Sequence, residues 1–126
     1  MNYTVKNLDG LHAVLDEFCE YLRAAEISEE SIFDSRLALS ELTTNVLRHT
    51  KEEAVIDGGI VNGKIEAEVF SATAFVPPEN ICLPAPDAEC GRGLFLVRSI
   101  VEELRPTERG GLRIVVRTTY AVKKKE

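Results

Sequence analysis

The sequence predicts an α/β fold of the α+β kind, a two-layer sandwich in which a mostly antiparallel sheet carries its helices on one face. Three observations lead there. Helical patterns come early, over residues 11–25 and 28–49; Asn62-Gly63 between two strand-like runs marks an antiparallel hairpin; and a β-branched run, 112–120, follows Gly110-Gly111. Helices in one block with antiparallel strand pairs around them argue against the β/α alternation of a parallel sheet.

The elements follow in order. Residues 3–6 suit a short strand and Leu8-Asp9-Gly10 a turn. A helix over 11–25 repeats Leu11, Val14, Leu15, Phe18, Tyr21 and Leu22 at helical spacing, so one face should be buried. Ser28 is a good N-cap for a second helix, with Glu29 and Glu30 favoured in its first turn by the helix dipole. Residues 53–61 and 64–70 form the hairpin, because Asn-Gly supplies the positive φ angles of a two-residue turn. Pro77, Pro78, Pro84 and Pro86 forbid regular structure across much of 71–92, a loop long enough to suggest a lid. A third helix is expected over 94–104, and Gly110-Gly111 joins a short strand at 103–107 to the longer one at 112–120.

With 126 residues, the chain suits a single domain, 1–126. Its hydrophobic share of 44% and charged share of 29% are those of an ordinary globular protein, and no run of about 18 apolar residues suggests a membrane span. A net charge of −6 argues against a nucleic-acid partner, since backbone binding needs a basic face. The basic tail at Lys123, Lys124 and Lys125 reads as a solvated terminus. Cys19, Cys82 and Cys90 show no C-x-x-C spacing and the N-terminus reads as no signal peptide, so reduced thiols and a cytoplasmic location are expected.

Chemistry is suggested by two segments. At about 100° per residue, Leu39, Leu42, Thr43 and Val46 cluster on one side of the second helix, while Glu41, Asn45 and Arg48 gather on the other. On helix geometry alone, a solvated face with a weak Glu41–Arg48 attraction is the simpler account of that trio. Downstream, Gly91-Arg92-Gly93 opens into LFLVRSIVEEL, and glycine-rich backbone at a helix N-terminus exposes N–H groups to phosphate oxygens. A carboxylate and an amide on one helix face, with such a turn, are the parts needed to hold a metal-bridged nucleotide.

In this order the pieces resemble the GHKL (histidine kinase-like) ATPase superfamily, and within it the anti-sigma factor serine kinases. The likeness covers nearly the whole chain and implies the Bergerat fold, ATP and Mg2+. Glu41, Asn45, Arg48 and His49 fall in register on the family's E-x-x-x-N-x-x-K/R-H helix. The resemblance makes Asn45 the magnesium ligand, Glu41 the catalytic base acting on a hydroxyl, and Arg48 a phosphate contact; His49 reads as a helix-end residue. Gly91, Arg92, Gly93 and Leu94 match the third motif, a phosphate-contacting loop.

The adenine-side motifs depart from the pattern. Aligned on Phe75, Phe70 stands where the family has its adenine-reading Asp, and Ala72 and Ala74 stand at its glycines. A shift of one residue puts Ser71 there instead. Leu112 replaces the Thr of the last motif, although Gly110 and Gly111 are present. The lost charge-assisted hydrogen bond is worth roughly 1.5–3 kcal/mol, about ten- to a hundred-fold in affinity.

Three readings stay open: a kinase that phosphorylates a serine of an anti-anti-sigma (STAS-type) partner and otherwise holds a sigma factor; a docking module with weak or no nucleotide binding; or a pocket altered for another ligand, with Phe70 stacking on a ring. Homodimers are common in the branch it resembles.

Overall fold

The computed structural model describes residues 1–50, 53–71, 89–108 and 110–121, with the backbone alone at 49–50 and 89–93. In chain order the elements are β1 (Asn2–Val5), α1 (Leu8–Ala24), α2 (Glu29–Thr50), β2 (Ala54–Val61), β3 (Lys64–Ser71), α3 (Glu89–Ile100), β4 (Glu103–Pro106) and β5 (Leu112–Val116). The strands join in one sheet, ordered β1-β2-β3-β5-β4 and antiparallel at each pairing. This is the antiparallel α+β sandwich expected. Most of the predicted lid, 72–88, and the tail at 122–126 lie outside the described residues.

Helix α1 begins at Leu8, so the three residues expected as a turn form its first turn. Asn7 is the reason: its Oδ1 accepts the Gly10 N–H at 2.8 Å, which satisfies an otherwise orphaned donor. Leu11, Leu15, Phe18 and Leu22 are at most 2% exposed and face the sheet side of the fold, each burial stabilising by about 1.5–3 kcal/mol. The helix stops in a Schellman arrangement. Ile27 N–H donates to Leu22 O at 3.1 Å and Glu26 N–H to Arg23 O at 2.9 Å, with Glu26 itself at φ 68°. Ile27 and Leu22 both join the core, the hydrophobic contact that accompanies this stop.

The hairpin forms as predicted, with Asn62 at φ 52° and Gly63 at φ 83°. Its register pairs Ile56 with Val69 and Ile60 with Ile65, while β5 sets Leu112 opposite Val69 and Ile114 opposite Ala67. Strand alternation therefore collects Ile56, Ile65, Ala67, Val69, Ile114 and Val116 on the helix side, in one cluster with Phe18, Leu39, Leu42, Leu94 and Val97. The opposite face carries Glu66, Glu68, Phe70 and Arg113, with Arg113 Nη2 donating to Glu66 Oε1.

The C-terminal elements differ from expectation in their limits. Helix α3 starts at Glu89 and ends at Ile100, and Leu104 lies in β4 opposite Ile114. Pairing with β5 ends the helix: Glu102 N–H already donates to Val115 O at 2.7 Å. Strand β5 ends at Val116 because Thr118 turns inward, its Oγ1 donating to Val116 O and accepting the Ile65 N–H. The chain then runs past α2, where Tyr120 bridges to Ile27.

Candidate functional site

Helix α2 supplies the site's first wall. Its start is fixed twice. Ser28 Oγ accepts the Ser31 N–H at 3.2 Å as an N-cap. Ser31, itself buried, then joins α2 to the segment after β5: its hydroxyl donates to Arg117 O at 3.0 Å and accepts the Thr119 N–H at 2.9 Å. Ser28 and Thr119 hydroxyls meet at 2.5 Å. Nothing local in the sequence signals this knot, because its halves are 86 to 91 positions apart.

Along α2 the two predicted faces separate as the spacing requires. Leu39, Leu42 and Thr43 are buried and Val46 packs against the core, whereas Glu41 and Asn45 are half-buried and Arg48 is exposed. Glu41 and Asn45 lie one turn apart and are neighbours on the helix surface. The Thr43 hydroxyl, fully buried, has no hydrogen-bond partner among the described residues.

Helix α3 packs beside α2. Ser99, Ile100 and Val101 at its end line a cavity with Glu30, Ser31 and Asp34 near the start of α2, so α3 runs back toward the half of α2 that bears Glu41 and Asn45. Gly91, Arg92 and Gly93 occupy the first turns of α3 instead of a loop leading into it, and Leu94, 2% exposed, anchors the helix in the core. Glycine costs a helix about 1 kcal/mol against alanine, a local penalty that packing against α2 offsets. The orphan N–H groups of the first turn still begin in this glycine-bearing stretch.

At the sheet end of the site, alternation separates Phe70 from Ser71. Ser71 is buried and shares the helix-facing side with Val69 and Leu112. Phe70 lies on the opposite face, where a Cβ placed on Gly111 would meet the Phe70 Cβ at 2.6 Å. Ser71, not Phe70, therefore lies on the sheet face that α2 covers. Ala72 is outside the described residues. Gly110, at φ 81°, turns the chain into β5, and Thr107 closes the turn by accepting the Gly110 N–H at 3.0 Å and donating its own N–H to Gly111 O at 2.9 Å.

The donor set suits magnesium in one respect. Asn45 and Glu41 offer hard oxygens from a partly shielded helix face. Among the described residues no three His, Cys, Asp or Glu side chains form a metal cage. Magnesium seldom requires one, since it keeps waters and binds through one or two protein oxygens plus phosphate. No helix among the described residues is long and apolar enough to cross a membrane.

The architecture is an α+β domain that sets a polar stripe on a long helix beside a glycine-bearing helix start. Residues 5–119 match the family model of the histidine kinase-like ATPase domain, and the chain belongs to that family. A comparison with curated proteins gives no match. The family is one of ATPase domains, for which ATP, typically with Mg2+, is the expected ligand.

Proposed function

We propose that this chain is an anti-sigma-factor-type regulator that binds Mg-ATP between α2 and α3 and phosphorylates a serine of an anti-anti-sigma, STAS-type partner. The observation that supports this most is the half-buried pairing of Glu41 and Asn45 on the face of α2 away from Leu39 and Leu42. In this reading Asn45 offers its amide oxygen to magnesium, Arg48 and the Gly91-Arg92-Gly93 turns hold phosphate oxygens, and Glu41 accepts the proton of the incoming serine hydroxyl. Bound magnesium would neutralise the phosphate charge that builds up during transfer. A sigma factor is the proposed second partner, sequestered when the antagonist is phosphorylated.

A second reading is a docking module with weakened nucleotide binding, favoured by the absence of a carboxylate at the end of β3. Ser71 is neutral, and Phe70 turns to the far face. Calorimetric titration separates the two. Micromolar Mg-ATP binding that Asn45→Ala abolishes, with serine phosphorylation of a STAS-type protein lost in Glu41→Gln, supports the kinase; no heat at millimolar ATP refutes it and leaves the docking module.

A further inference from the structure

The two edges of the sheet are guarded unequally. Strand β4 carries Glu103 and Arg105, paired at 3.3 Å, and ends at Pro106; charge and proline are the usual means of keeping an edge strand from pairing with another chain. Strand β1, at the other edge, reads Asn2-Tyr3-Thr4-Val5. It holds no charge and no proline, and Tyr3, Thr4 and Val5 all favour strands.

The outward groups of β1 follow from its register. The Met1 amino group donates to Gly58 O at 2.8 Å and the Gly58 N–H donates to Met1 O at 2.9 Å. Antiparallel ladders alternate, so Tyr3 and Val5 also bond inward, to Ile56 and Ala54, while the N–H and C=O groups of Asn2 and Thr4 point away from the sheet. Both residues are exposed. Their four groups are self-complementary: a two-fold axis at Tyr3 sets Asn2 of one chain opposite Thr4 of another, each pair exchanging two bonds, and a contact of this kind closes on itself. Tyr3 then falls in the closer, non-hydrogen-bonded position, where two half-buried phenol rings meet on the helix side. A foreign strand would find the same main-chain groups but no such matching ring.

We propose that β1 pairs antiparallel with β1 of a second copy, joining two five-stranded sheets into a single sheet. So short a ladder with one aromatic pair buries less than a permanent interface, and the dissociation constant should be about 10–100 µM. Charge works against the pair. Each chain carries a net charge of −6, and Lys6, just past the strand, is taken up by Glu53 at 3.9 Å. Partial burial, then the nearby Glu17 charge, raise the Tyr3 phenol, so an axis at Tyr3 also brings two Glu17 side chains toward each other. Association should therefore strengthen with salt, and about two- to five-fold in Glu17→Gln.

Sedimentation velocity of the full chain from about 5 to about 500 µM, combined with amide exchange read by NMR, tests the pairing. A dimer should appear across that range, and with it protection of the Asn2 and Thr4 amides, while those of Tyr3 and Val5 are protected at every concentration. Thr4→Pro removes an outward N–H without taking a bond from β2, and should hold the chain monomeric with its circular dichroism unchanged. Should that variant not fold, Asn2→Lys with Thr4→Lys sets like charges opposite each other and should raise the dissociation constant about ten-fold or more. A monomer at the top of the range, a dimer whose Thr4 amide exchanges as freely as in the monomer, or undiminished pairing in either variant that folds overturns the proposal.

Discussion

Replacing Gly111 with alanine tests how closely β5 approaches β3. A Cβ there would meet Val69 O at 2.3 Å, Phe70 Cβ at 2.6 Å and Phe70 Cα at 3.1 Å, whereas ordinary contact begins at 3.4 Å. Two of the three atoms belong to the backbone and cannot rotate aside, so relief requires the strands to part where Val69 pairs with Leu112. Overpacking of this kind costs about 1–3 kcal/mol, and a lost ladder hydrogen bond about 1 kcal/mol more. The expected destabilisation is therefore about 2–4 kcal/mol, a fall in Tm of about 6–15 °C for a domain of this size. Urea denaturation followed by circular dichroism measures it. The control is Gly59→Ala, where the new Cβ would find only Tyr21 Oη at 3.7 Å, and stability should stay within about 0.5 kcal/mol. A Gly111→Ala protein as stable as that control would refute the close approach and, with it, the placement of Phe70 against Gly111.

Ser31→Ala removes the centre of the hydroxyl knot and strands the Thr119 N–H, so it should cost about 2–3 kcal/mol by the same assay, and Ser31→Thr should recover part of the loss. Glu26→Gly relieves a side chain held at φ 68° and should stabilise by about 1 kcal/mol in urea titrations. Asp34 has a carboxyl raised by burial and by Glu30, so its contribution is fully present below the ordinary aspartate range and is lost as pH rises through the raised value. Asp34→Asn should therefore be more stable than the parent at pH 7, with the advantage gone below about pH 3.5, as read from denaturation midpoints at both pH values. Leu42→Ala, deep in the core, should cost about 2–5 kcal/mol.

Legibility in the sequence followed the range of the forces involved. The Asn62-Gly63 turn, the Ser28 cap and the two faces of α2 depend on neighbours within a few residues, and each was readable. The start of α1 turned on one side chain, Asn7, whose capping bond outweighed the turn character of Leu8-Asp9-Gly10. Helix α3 was expected too late in the chain because two glycines signal a break locally, whereas packing on α2 rewards helix. The side to which Phe70 points could not be fixed until the register with β5 was known, since a slip of one residue exchanges the faces of a strand. Family resemblance led to the ATPase domain even so, because the polar stripe of α2 is a local pattern. The knot of Ser28, Ser31 and Thr119 left no trace in the sequence, being made of common residues far apart.

That knot also bears on when the molecule becomes complete during synthesis. Residues 28 and 31 emerge from the ribosome 86 to 91 positions ahead of the hydroxyl and carbonyl they clasp. Until then the long helix has its cap but no tether, and β3 lacks the neighbour that covers its inner edge. A nascent chain halted short of residue 112 would hold a helical hairpin on an unfinished sheet, its Glu41 and Asn45 present but not yet anchored. The segment Arg117–Thr119 thus decides whether the working helix is set in place.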